Sequence, residues 1–163
     1  MSVRAFIAIG SNVGDRRQWC RLATERLASL PATRLVTASP LFETPPAEGA
    51  AGGPFLNGAA EIETDLAPGD LLRELRAIEA ALGRPLDRPR GAARTMDLDL
   101  LLYGDLRLDQ PDLVIPHPRM AERRFVLEPL AAIAPGVRHP VLGRTAAELL
   151  ARLDRPAPTE ATT

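Results

Sequence analysis

The chain has 163 residues, a hydrophobic fraction of 45%, a charged fraction of 25% and a formal net charge of −1. That length and composition describe one globular domain able to bury an ordinary core without staples. The near-zero charge excludes a global field drawing the chain to nucleic acid or membrane, so any phosphate site must come from local clustering of its 20 basic residues, all arginine.

A single cysteine, Cys20, excludes an internal disulfide framework and fits a reducing compartment. It recurs at helical spacing with Ala23, Leu27 and Leu30, which reads as a small core residue. No segment approaches the roughly 20 apolar residues of a membrane helix. The opening MSVRAFIAIGSN lacks the layout of a signal peptide. A cytoplasmic monomer without nucleic-acid or membrane partners is expected.

Taken in chain order, Val3 to Ile9 is apolar on both faces and predicts a buried strand ended by Gly10-Ser11-Asn12. A helix follows from about Gly14 to Leu30, with Asn12 or a neighbour as its cap. Leu35 to Phe42 predicts a second strand, and Thr44 to Pro54, rich in Pro and Gly, a long loop. Leu56 to Thr64 predicts the third strand. Pro68 opens a helix whose stripe is Leu71, Leu75, Ile78 and Leu82, and Gly83 stops it. Arg84 to Arg94 reads as a basic loop. Met96 to Tyr103 predicts the fourth strand, turned back at Gly104-Asp105. A loop around Pro111 to Pro118, short helical pieces at Met120 to Arg124 and Pro129 to Ala134, and a last helix from Thr145 to Leu153 complete the domain, residues 1–154. Residues 155–163, of Arg, Pro, Ala, Thr and Glu, read as a disordered tail. The order β-α-β-β-α-β plus C-terminal helical additions predicts an α+β, ferredoxin-like fold.

Four groups of residues carry chemistry. Asp97 and Asp99 lie two apart on a strand, so both carboxylates share one face while Met96, Leu98 and Leu100 share the other. Their mutual repulsion has two remedies, a divalent cation or neighbouring arginines, and both stay open at this point. Arg84, Arg88, Arg90 and Arg94 precede that strand; Arg119, Arg123 and Arg124 follow it. Forked donors on loops suit a polyphosphate, and equally a salt-bridged surface. Pro116-His117-Pro118 brackets a histidine able to donate to a phosphate oxygen or act as an acid, or to serve as an ordinary hydrogen-bonded residue. Phe55 and Asn57 share a face, an aromatic plane beside an amide, which suits a flat heterocycle as well as a core; Phe125 is a second plane. Gly10 to Asp15 lacks the endings of a P-loop or a Rossmann fingerprint.

In order, AFIAIGSNVGDR, SPLFETPP, FLNGAAEIET, RAIEAALGR, RTMDLDLLLYG and IPHPRMAERRFVLEPLAAIAP resemble one family, the 6-hydroxymethyl-7,8-dihydropterin pyrophosphokinases. The resemblance runs from about Phe6 to Pro135. It implies a ferredoxin-like core with mobile catalytic loops, and transfer of pyrophosphate from ATP to 6-hydroxymethyl-7,8-dihydropterin, giving AMP, in folate biosynthesis. It implies that Asp97 and Asp99 hold two Mg²⁺ ions bound with ATP. It implies that Arg84, Arg94, His117 and Arg123 contact ATP and its phosphates, with Glu79 at a nucleotide position. Thr44, Pro45, Phe55, Asn57 and Phe125 match the pterin pocket. The chain departs from the family pattern in Arg90-Gly91-Ala92-Ala93-Arg94, where Gly91 replaces a tryptophan, and at Leu86, where an arginine is usual; Arg88 stands in for that arginine as an ATP contact. A nucleotidyltransferase would place its Gly-Ser turn close to its Asp pair, and here Ser11 and Asp97 are far apart. A module that binds pterin or nucleotide without turnover is the non-enzymatic rival.

Overall fold

The computed structural model describes residues 2–12, 14–44, 54–82 and 96–154. Its centre is β1 (Val3–Ser11), whose residues are mostly buried on both faces. β4 (Phe55–Thr64) pairs with one edge of β1 and β5 (Asp97–Tyr103) with the other, both antiparallel. β2 (Thr33–Ala38) and the short β3 (Phe42–Thr44) pair in turn with the far edge of β4. The sheet order is therefore β2-β4-β1-β5, with β3 alongside β4. With α1 (Arg16–Ala28) between β1 and β2, and α2 (Pro68–Ala81) between β4 and β5, this is the expected βαββαβ, α+β fold.

Both helices pack on one face. Ile7, Ile9, Leu56, Ile62, Leu98 and Leu100 of the sheet meet Cys20, Ala23 and Leu27 of α1 and Leu71, Leu75 and Ile78 of α2. Burial pushes the Cys20 thiol up to about 11, so it is a neutral core residue, as its spacing predicts. On the opposite face, Phe6, Leu101 and Leu102 pack against Met120, α3 (Arg124–Ile133) and α4 (Ala146–Asp154). These additions cover only part of that face.

Several boundaries differ from the sequence reading. The second strand is broken: Pro40 has no N–H to give, and Ser39 leaves the ladder with its N–H donating to Ala59 O (2.8 Å) and its Oγ accepting from Ala59 N (2.9 Å). β1 runs on through Gly10 and Ser11, which pair with Asn57 and Leu56. Asp15, not Asn12, caps α1, accepting from Gln18 N. Pro129 lies inside α3 rather than opening a separate piece, because Val126, Leu127 and Leu130 around it are buried. Pro111-Asp112 is the tip of a hairpin joining β6 (Leu108–Gln110) and β7 (Leu113–Ile115), not part of a plain loop. The turn at Gly104 holds: its φ is +54° and an added Cβ would meet Val3 Cγ1 at 3.1 Å.

Candidate active site

Among the described residues, the part of the sheet's second face that α3 and α4 leave uncovered is a cleft of about 550 Å³. Strand parity builds its floor. Asp97 pairs with Gly10 and Asp99 with Ala8, and Gly10 in turn faces Asn57 across β1–β4. Side chains two apart on a strand share a face, so Asp97, Asp99, Ala8, Gly10 and Asn57 form one surface. The two residues on the central strand are the smallest available. A Cβ at Gly10 would meet Asn57 Oδ1 at 3.4 Å and Phe55 Cδ1 at 3.8 Å. Small side chains there leave room between the carboxylates at one end and the amide and aromatic ring at the other.

Each wall has its own chemistry. Phe55 and Phe125 both line the cleft, and Phe125, 39% exposed, is among the most exposed large apolar side chains described. Asn57 is buried and its Nδ2 donates to Thr44 Oγ1 (2.8 Å), which fixes the amide and leaves Oδ1 and a second N–H for other partners. Arg119 and Arg123 line the same cleft as Asp97 and Asp99. Among the described residues neither guanidinium makes a hydrogen bond or ion pair, although Arg123 lies over the Phe125 ring at 5.5 Å. Two arginines with no anion partner among the described residues, in one cleft with two half-buried carboxylates, suit an anion bridged through a cation.

The described residues contain no group of three or more His, Cys, Asp and Glu side chains able to cage a metal. Mg²⁺ commonly takes only one or two carboxylates and fills its octahedron with water and phosphate oxygens. The Asp97–Asp99 pair fits that ion.

His117 stands beside the cleft, lining a smaller recess of about 240 Å³ with Asp99, Arg76, Leu100 and Asp112. β5 sets its position. A bulge between Phe6 and Ile7 shifts the register, so Leu101 falls between the paired Leu100 and Leu102, and Leu101 O accepts from His117 N (2.9 Å). His117 Nδ1 accepts from Arg119 N (3.3 Å), so the neutral ring carries its proton on Nε2. Burial is the largest influence and lowers the pKa below the usual imidazole value. Asp99 pulls it up, and Arg123 and Arg119 add to the lowering. The ring is thus a neutral donor near pH 7.

Of the site residues expected from sequence, Thr44, Phe55, Asn57, Asp97, Asp99, Arg123 and Phe125 share one cleft, and His117 adjoins it. Glu79 is buried against the far edge of β5, where its Oε2 accepts from Leu98 N (2.7 Å). Pro45, Arg84, Arg88 and Arg94 lie outside the described residues, as does the tail from 155. Arg124, grouped with the phosphate-side arginines, instead pairs with Glu128 and Asp154 and ties α3 to α4. Arg76, Ala8 and Gly10 were not singled out as site residues. Arg76 had a signal in its position one helical turn before Glu79; the two small residues had only their parity with Asp97 and Asp99.

Fold and cleft together define an α+β protein that places an acidic pair and arginines beside an aromatic pocket. The chain belongs to the 7,8-dihydro-6-hydroxymethylpterin-pyrophosphokinase (HPPK) family, whose model matches residues 6–135. It is 46% identical over 151 residues to the 2-amino-4-hydroxy-6-hydroxymethyldihydropteridine pyrophosphokinase of Pseudomonas aeruginosa, covering 93% of this chain and 92% of that protein. The Bacillus subtilis enzyme of the same name is 43% identical over 129 residues, 79% of this chain and 77% of its own. Among solved structures, a Plasmodium falciparum HPPK-DHPS mutant superposes with a TM-score of 0.74 at 15% identity, covering 93% of this chain. That likeness speaks to the fold alone, and the chain spans 44% of that longer protein. No helix among the described residues is long and apolar enough to cross a membrane.

Proposed function

We propose that the cleft performs its family's reaction in folate biosynthesis, moving pyrophosphate from ATP to the hydroxyl of 6-hydroxymethyl-7,8-dihydropterin and releasing AMP. The observation that carries this is the convergence in one 550 Å³ cleft of a flat-ring pocket and an acid–arginine end. Phe55 and Phe125 stack on the pterin, and Asn57, steadied by Thr44, reads its donor–acceptor edge. Pro45 belongs to the same pocket by resemblance. Asp97 and Asp99 would hold Mg²⁺, two ions bound with ATP, and Mg²⁺ there would draw charge from the phosphate oxygens and lower the pKa of the acceptor hydroxyl. Arg119 and Arg123 offset charge on the transferred group, and His117 donates from Nε2 to a phosphate oxygen. Arg84, Arg88 and Arg94 are further phosphate contacts on the strength of the resemblance. The working unit is one monomeric cytoplasmic domain.

The test is the nucleotide product formed from MgATP with and without the pterin alcohol. Pterin-dependent AMP is expected. Binding of both ligands with no product would leave a binding module, and ADP would mean transfer of the wrong phosphoryl group.

A further inference from the structure

Among the described residues β5 is an edge strand of the sheet, with no strand pairing its outer side. At Leu98, the residue between the two carboxylates, α2 supplies the partners. Leu98 N donates to Glu79 Oε2 (2.7 Å), and Leu98 O accepts from Arg76 Nη1 (2.9 Å). The same Nη1 donates to Glu79 Oε1 (2.8 Å), so both its protons are engaged and the three groups form a closed ring of contacts. Glu79 is 2% exposed.

In an antiparallel pair, successive residues turn their N–H and C=O to alternate sides. Leu98 turns outward to α2, so Asp97 and Asp99 turn inward to Gly10 and Ala8. The tripeptide is gripped from both sides, and its twist fixes how far apart the two carboxylates stand. Metal–ligand distances tolerate only about 0.2 Å of error.

We propose that Arg76 and Glu79 are positioning residues whose clamp on the Leu98 peptide sets the Asp97–Asp99 spacing and thereby the affinity for a divalent cation. This rests on reading that pair as the metal ligands. Coulomb's law and the clamp make opposite predictions. Removing Arg76 takes one positive charge from beside the metal site, which by charge alone tightens cation binding. The clamp requires that binding weaken.

The experiment uses the full chain, Mn²⁺ as probe, a non-hydrolysable ATP analogue, and amide exchange at Leu98. Arg76→Met is expected to speed Leu98 exchange and weaken Mn²⁺ about tenfold, as loss of a ligand-orienting partner does. Glu79→Gln keeps an oxygen for Leu98 N–H and is expected to lose less than Glu79→Ala. Unchanged or tighter Mn²⁺ binding in Arg76→Met, at retained melting temperature, overturns the clamp. Asp97→Asn is the control for the underlying reading: if it binds Mn²⁺ as tightly as the parent, the metal assignment itself is what fails.

Discussion

The two faces of one sheet behave as different materials. Under α1 and α2, the strands present Ile7, Ile9, Leu56, Ile62, Leu98 and Leu100, all buried. On the other face, the same strands present Ala8, Gly10, Asn57, Asp97 and Asp99. Beside the cleft the strands alternate between these faces, so Leu98 supports the core while its neighbours on either side face the cleft. Stability and chemistry are separated by parity rather than by domain. Substitutions of these apolar residues should therefore change melting and leave kinetics intact, and substitutions of the cleft residues should do the reverse.

The strongest way to test this separation is at the acidic pair. Asp99→Ala is expected to lower kcat by about a thousandfold or more, since a metal clamp supplies several kcal/mol to a phosphoryl-transfer transition state. Its melting temperature should hold or rise, because a like-charge repulsion is relieved. On the sealed face, Leu75→Ala removes a fully buried side chain. It is expected to cost about 3 kcal/mol in urea unfolding, with KM for both substrates unchanged. A kinetic defect in Leu75→Ala larger than that in Asp99→Ala would show that the faces are not independent.

At the other end of the cleft the expected effects are smaller. Phe125 is exposed enough that Phe125→Ala should leave urea unfolding within about 0.5 kcal/mol of the parent. Losing one stacking plane should raise KM for the pterin alcohol about tenfold and leave KM for ATP nearly unchanged. An equal rise in both constants would place the ring on the nucleotide instead.

Parity is also why much of the site was legible before the fold was known. Asp97-Leu98-Asp99 and Phe55-Leu56-Asn57 each announce, by alternation alone, which side chains share a surface. That the two surfaces are one surface is a matter of strand order, which puts β1 between β4 and β5. The α+β order was readable because each helix has a clean apolar stripe, such as Leu71, Leu75 and Ile78. What the sequence concealed depends on distant partners. Pro129 looks like a helix breaker until Val126, Leu127 and Leu130 are buried around it, and burial outweighs the lost hydrogen bond. Arg124 looks like its neighbour Arg123 until Asp154, 30 residues on, is brought against it. Glu79 carried a role from resemblance, but nothing local foretold that it holds the peptide between the two carboxylates.

The two histidines extend the comparison to its smallest effect. His117 adjoins the cleft, while His139, in the turn before α4, does not line it but shares a second recess of about 450 Å³ with His117. His139 Nδ1 accepts from Val141 N (3.2 Å) and Leu142 N (3.1 Å), and both bonds require that nitrogen to be unprotonated. Burial lowers the His139 pKa below its usual 6.5. With a lowered folded-state value, the unfolded chain binds the proton first as the solution is acidified. The stability tied to His139 is therefore whole above the unfolded value of about 6.5 and is lost as pH falls through the lower folded value. Melting temperature should decline as pH falls below about 6.5, and His139→Gln should flatten part of that decline. Because His139 lies outside the cleft, the same variant should keep the parent's KM values and the acid limb of its kcat profile. A shifted acid limb in His139→Gln would mean that the turn and the active site titrate as one unit across the recess the two histidines share.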